Sequence, residues 1–208
     1  MTLWLNNYKM GYKSKHKGWE DHYSTKAKKE NFPARSVYKL KEIQQKYNLI
    51  KKGNRVLDLG CSPGSWLIYA AELAGKKGQV IGVDLKIVSI KIPSNARVYS
   101  SDILSIDDEF YELIGKDFNV ILSDMAPATT GNKNVDAARS FNLCEAALFI
   151  AQKTLMPGGS FVCKIFQGED FNKFSDLVKA GFKKSRIFKP QSSRKASKEI
   201  YIIGLDKN

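Results

Sequence analysis

Lys164 stands inside an apolar run, Phe161-Val162-Cys163-Lys164-Ile165-Phe166, that reads as a strand. A lysine among such neighbours is partly desolvated unless a partner meets it. Asp124 closes another apolar run, residues 119–123, and Glu199 opens the last one. Lys39 lies on a stretch whose helical spacing is set by Val37, Leu40, Ile43 and Tyr47. Lys39, Asp124, Lys164 and Glu199 are therefore candidates for catalysis. For Asp124 and Lys164 the plain alternative is a buried salt bridge that only steadies the fold.

A second group could hold a cofactor. Val56-Leu57-Asp58-Leu59-Gly60-Cys61-Ser62-Pro63-Gly64-Ser65-Trp66 reads as strand, turn and helix. A dinucleotide site calls for GxGxxG, whose bare amides cradle a pyrophosphate. Here the spacing is GxxxG, and Pro63 has no amide proton to give. That disfavours a nicotinamide-dependent dehydrogenase and favours a cofactor without phosphates. Asp84 ends the next strand, where a carboxylate can accept from two ribose hydroxyls. Asp102 follows a third strand and could accept from an adenine amine. Either aspartate could instead be a simple helix cap. Taken in order, the set suits S-adenosylmethionine, its amino-acid tail near the glycines. Asp58, Gly60, Pro63, Gly64, Asp84 and Asp102 are the expected contacts.

These residues need a frame. Helical and strand-like stretches alternate from residue 36 onward, with the first helix stopping near Lys52-Gly53. Strands are expected at 55–59, 79–84, 96–100, 119–123, 160–166, 185–189 and 199–205. A long helix over 136–155 ends at Met156-Pro157-Gly158-Gly159, and another covers 170–180. This alternation predicts an α/β fold, a doubly wound and mostly parallel seven-stranded sheet with helices on both faces. The last two strands are joined without a helix. A parallel crossover needs about a dozen residues or more, so that pair is expected to be antiparallel. Residues 1–34 read as a basic, aromatic arm and residues 35–208 as the domain.

The charge is unevenly spread. The 208 residues carry a formal +13, yet residues 36–178 contribute only +1. Residues 1–35 carry +5 and residues 179–198 carry +8 with no acid. A near-neutral body with two basic ends fits a polyanion such as nucleic acid. Trp4, Tyr8, Tyr12, Trp19 and Tyr23 are interleaved with the arm's cations and could stack on unpaired bases or dock the arm. Cys61, Cys144 and Cys163 form no CxxC or disulfide framework, which points to a reducing, cytoplasmic setting. With two histidines, both near the N-terminus, no metal site is expected. No apolar run approaches the roughly 18 residues of a membrane span, and Met1–Met10 is too polar for a secretory signal.

Five segments together carry a resemblance. They are Arg35-Ser36-Val37-Tyr38-Lys39-Leu40, the DLGCSPGSW turn at 58–66, Ser123-Asp124-Met125-Ala126-Pro127, the stretch 157–168 ending KIFQG, and Lys189-Pro190-Gln191-Ser192-Ser193-Arg194 through Tyr201. They resemble the FtsJ/RrmJ family of RNA ribose 2′-O-methyltransferases, over about residues 20–205. The resemblance implies a Rossmann-like class I methyltransferase fold and S-adenosylmethionine as cofactor. It places the family's catalytic tetrad on Lys39, Asp124, Lys164 and Glu199. It places cofactor contacts on Gly64, Trp66, Asp84, Asp102 and Asp124. Lys164 is then the base or the group that orients the hydroxyl, with Asp124 orienting Lys164. Departures are small: Cys61-Ser62 replaces commoner small residues, and Leu67 stands where a polar residue is usual. The implied substrate is a uridine of large-subunit ribosomal RNA, alone or in the subunit. Relatives that act on tRNA or mRNA caps, and a non-catalytic assembly factor, are the alternatives. RNA phosphates are expected at Arg35, Lys189, Ser192, Arg194, Lys195 and Lys198, and the protein is expected to be a monomer.

Overall fold

Among the described residues seven strands form one sheet in the order β3-β2-β1-β4-β5-β7-β6. In the chain they are β1 (Arg55–Leu59), β2 (Gln79–Asp84), β3 (Ala96–Ser100), β4 (Phe118–Ser123), β5 (Leu155–Phe166), β6 (Phe182–Phe188) and β7 (Glu199–Lys207). The computed structural model describes residues 17–194 and 196–208, with side chains of the first helix described from residue 22. Among the described residues six α-helices accompany the strands: α1 (Lys17–Lys29), α2 (Val37–Tyr47), α3 (Ser65–Ala74), α4 (Asp108–Ile114), α5 (Lys133–Thr154) and α6 (Phe171–Gly181). Strands β1 to β5 pair in parallel, while β7 is antiparallel to both β5 and β6. The expected antiparallel pair is present.

Two apolar layers sandwich the sheet. Leu57, Ile121, Phe161 and Ile202 face one layer with Phe141, Leu148 and Phe174 of α5 and α6. Val56, Val120, Val162 and Tyr201 face the other with Leu40, Ile43, Trp66 and Leu67 of α2 and α3. Neighbouring strand residues thus alternate between layers, as the pleat requires. A smaller cluster of Ala27, Phe32, Val37 and Tyr38 fastens α1 to α2, with Tyr23, Ile68 and Tyr69 against it.

Several boundaries, and one helix, differ from the sequence reading. Helix α2 stops at Asn48, which adopts the left-handed conformation (φ 50°) and donates its N–H to the Gln44 carbonyl. Strand β5 begins at Leu155, so the Pro157-Gly158-Gly159 segment is an irregularity in a longer strand. Helix α5 begins at Lys133, because the Asn132 side chain accepts from the Asn134 and Val135 amides. Helix α4 was not expected; Asp107 caps its start and Gly115 ends it.

Candidate active site

The strand order reverses between β1 and β4, the place where open α/β sheets bind ligands at their carboxyl ends. A cleft of ≈ 690 Å³ opens there. Its walls include Gly60, Ser62 and Pro63 of the turn after β1, Asp84 after β2, Asp102 after β3 and Asp124 after β4. Gly60 has φ +77°, and a Cβ on it would meet Met125 Cγ at 2.5 Å. Glycine keeps this wall open. Asp84 is held by two amides: Ser62 N donates to Oδ2 (2.9 Å) and Lys86 N to Oδ1 (2.8 Å). Asp102 Oδ1 accepts from Leu104 N at 3.0 Å and so does cap a helical turn, while the residue also lines the cleft.

Two cofactor candidates sit behind the wall. Asp58 is fully buried and neither carboxylate oxygen has a hydrogen-bond partner. Burial, then the negative charges of Asp124 and Asp84, push its carboxyl well above the usual range. Trp66 is buried too; its indole N–H donates to the Ser36 carbonyl (2.8 Å). What Trp66 can offer a ligand is its backbone amide, one of the first-turn amides of α3 that have no carbonyl within the helix.

Next to the cleft lie two ion pairs. Lys164 Nζ is 3.1 Å from Asp124 Oδ1 and donates to the Asp124 carbonyl at 2.5 Å. Tyr201 faces Lys164 across the β5–β7 ladder, and its hydroxyl donates to the same Oδ1 at 2.5 Å. Burial raises the Asp124 pKa, but the charges of Lys164 and Lys39 and the Tyr201 bond outweigh it and hold the carboxyl below its ordinary value. Burial and the charges of Asp124 and Glu199 push the Tyr201 phenol well up, so it stays a donor. In the second pair, Lys39 Nζ lies 2.7 Å from Glu199 Oε1, which also accepts from Ser193 Oγ at 2.8 Å. Glu199 is in register with Phe166, two residues past Lys164, so both pairs occupy the same end of the sheet. A small pocket of ≈ 230 Å³ is lined by Arg35, Ser36, Lys39, Arg194, Ser197 and Glu199.

A cleft at the strand ends thus lies beside a Lys164–Asp124 and a Lys39–Glu199 pair. The FtsJ-like methyltransferase family model matches residues 32–207. This chain belongs to the FtsJ-like methyltransferase family. Its relatives include the ribosomal RNA large subunit methyltransferase E of Desulforapulum autotrophicum, 57% identical over 94% of this chain and 96% of that protein. The protein of the same name from Desulfatibacillum aliphaticivorans is 54% identical, again over 94% and 96%. Among solved structures, a candidate ribosomal RNA methyltransferase from Plasmodium falciparum superimposes with a TM-score of 0.74 at 29% identity, covering 85% of this chain and 98% of that one. The fold is that of the FtsJ-like enzymes, and the chain is a methyltransferase.

The basic loop before Glu199 is partly anchored in this FtsJ-like chain. Arg35 donates to the Ser192 carbonyl (2.6 Å), and its guanidinium lies over the Tyr23 ring. Lys189 donates to the Ser197 carbonyl at 2.8 Å. The Ser192 side chain is buried. Arg194 and Lys198 are exposed. Lys195, Trp4, Tyr8, Tyr12 and the Trp19 side chain lie outside the described residues.

Sequence reading missed three residues that shape the site. Tyr201 shares a strand face with Glu199, an i, i+2 relation that was legible. Asp136 accepts from Thr130 N, Thr130 Oγ1 and Gly131 N, tying down the loop after Asp124. Glu42, three residues past Lys39 on α2, accepts from the Gln191 and Ser192 amides. The last two contacts had no sequence signal beyond a polar residue near a helix start or on a helix face.

Proposed function

We propose that this chain is an S-adenosylmethionine-dependent methyltransferase that methylates a ribose 2′-hydroxyl, that of a uridine in large-subunit ribosomal RNA. The observation that carries this is the setting of Lys164 Nζ. A lysine ammonium has three protons to donate. Two are directed to the carboxylate and the carbonyl of Asp124, which leaves one for a substrate hydroxyl. The names of the most similar relatives support ribosomal RNA as that substrate.

The cleft fits the cofactor by its chemistry. Asp84 is held by two amides so that its carboxylate can accept from ribose hydroxyls. Asp102 has one oxygen beyond its cap bond for an adenine amine. The amino-acid tail fits the turn, its carboxylate toward the free amides that begin α3 and its ammonium toward the unpaired Asp58. When bound, S-adenosylmethionine supplies a methyl group already activated on a sulfonium.

The chain's own work is then positioning and proton control. Asp124 fixes Lys164, and Tyr201 fixes Asp124. As a free amine, Lys164 takes the 2′ proton; as a cation, it orients the hydroxyl and stabilises negative charge growing on the oxygen. Lys39 and Glu199 hold the ribose beside the small pocket. Arg35, Lys189, Arg194, Lys195 and Lys198, with the arm of residues 1–34, meet RNA phosphates. Three buried free thiols suit a reducing cytoplasm, and one chain suffices for the site.

The test is a map of 2′-O-methylation on ribosomal RNA from cells with and without the protein. Loss of methylation at one ribose is the expected result; an unchanged map overturns the reading. Methyl incorporation into subunits, free ribosomal RNA and tRNA, compared side by side, identifies the substrate form.

A further inference from the structure

Helix α2 carries more of the site than Lys39. Residues 190–193 form a turn closed by Ser193 N donating to the Pro190 carbonyl at 3.1 Å. Such a turn leaves its two central amides, here Gln191 and Ser192, without a partner of its own. Glu42 takes both: Gln191 N donates to Oε2 (2.6 Å) and Ser192 N to Oε1 (2.8 Å). These are charge-assisted bonds, about twice as strong as neutral ones. Arg35 grips the same turn from its other side through the Ser192 carbonyl.

The next residue closes a ring. Ser193 Oγ donates to the Glu199 oxygen that also meets Lys39. Lys39 and Glu42 stand one helical turn apart, so one rigid helix reaches Glu199 by two routes. One route is direct, through Lys39. The other runs through Glu42, the Ser192 peptide and Ser193. The ion pair alone would fix only the distance between two flexible side-chain tips. The second route fixes where the loop backbone stands, and with it Ser193, Arg194 and the wall of the small pocket.

We propose that Glu42 is a positioning residue for methyl transfer. Its carboxylate holds the Pro190–Ser193 turn so that Ser193 and Arg194 frame Glu199 for the RNA ribose. The proposal rests on the reading of this pocket as the place of the RNA ribose. Asp84 and the turn after β1 have no part in the ring, so cofactor binding is independent of it.

The test is Glu42→Gln, with Ser193→Ala and the double variant, assayed on the ribosomal substrate. Glutamine keeps one acceptor but turns an N–H toward the other amide. The expected result is a fall of about tenfold in kcat/KM for RNA, since small misplacements at a reacting centre are costly. KM for S-adenosylmethionine stays within about twofold, a split that general loosening of the fold would not produce. Ser193→Ala adds little on top of Glu42→Gln, because both break one path. Faster hydrogen exchange at the Gln191 and Ser192 amides checks that the clamp is released. A folded Glu42→Gln with released amides and unchanged kcat/KM overturns the proposal, as does an equal loss of cofactor affinity. An inactive wild-type protein on every RNA tested overturns the functional reading and this role with it.

Discussion

Lys164 of β5 and Tyr201 of β7 face each other across an antiparallel ladder and converge on one oxygen of Asp124, which directly follows β4. The carboxylate is thereby held by a cation on one side and a neutral hydroxyl on the other. Trp66 stacks behind Tyr201, ring centroids 5.9 Å apart. The reacting group proposed here is thus locked from three strands and a helix.

Removing Lys164 should separate chemistry from stability. Lys164→Ala is expected to lower turnover by about 10²–10⁴-fold. It also leaves the largely buried Asp124 carboxylate without its cation, a loss whose upper bound is the ~3–5 kcal/mol of a fully buried pair. The double variant Lys164→Ala with Asp124→Asn should regain much of the melting temperature and none of the activity. Thermal melts beside methyl-transfer assays check both. Wild-type turnover in Lys164→Ala would remove Lys164 from the mechanism.

Asp124 also predicts an acid limb. Its folded pKa lies below its ordinary value. The stability it contributes is therefore complete above the unfolded carboxylate pKa, about 3.9, and is lost as pH falls through the folded value. Melting temperatures measured between pH 2 and 6 should drop more steeply for the wild type than for Asp124→Asn. Parallel curves would contradict the assignment.

Asp58 has the opposite sign. Its folded pKa is raised, so its contribution is present below the unfolded pKa and is lost as pH rises through the folded value. At pH 7, Asp58→Asn should melt higher than the wild type without cofactor, because a buried unpaired carboxylate is costly. Adding S-adenosylmethionine should then raise its melting temperature less than it raises that of the wild type. An equal ligand shift would separate Asp58 from the cofactor's ammonium.

RNA affinity should fall with salt. Neutralised phosphates release counterions, and each lost contact lowers the salt slope by about one. Arg194→Ala and Lys198→Ala should each weaken binding and flatten the slope of log K against log salt. Filter binding across low to moderate salt measures it. A slope unchanged in both variants would move the phosphate path elsewhere.

Much of the fold and of the site was legible in the chain. Lys164 could be singled out because a charge inside an apolar strand breaks a pattern. Asp84, Asp102 and Asp124 could be placed because each ends or closely follows such a run, and ends of parallel strands share one edge. Helix α4 was missed because seven residues show too little period to be read. The start of β5 was missed because Pro157-Gly158-Gly159 carries a turn's composition. Glu42 was missed because its partners are backbone amides about 150 residues away.

The sequence by itself determined most of the elements, the chemical residues near their ends and the family, because period, caps and turn chemistry act between near neighbours. Only the tertiary structure decided that β7 slots between β5 and β6. That insertion puts Tyr201 beside Lys164 and brings Glu199 to Lys39. Strand order is set by which apolar faces can be buried together once the chain closes its loops. That is a property of the whole sheet, and no local stretch of residues encodes it.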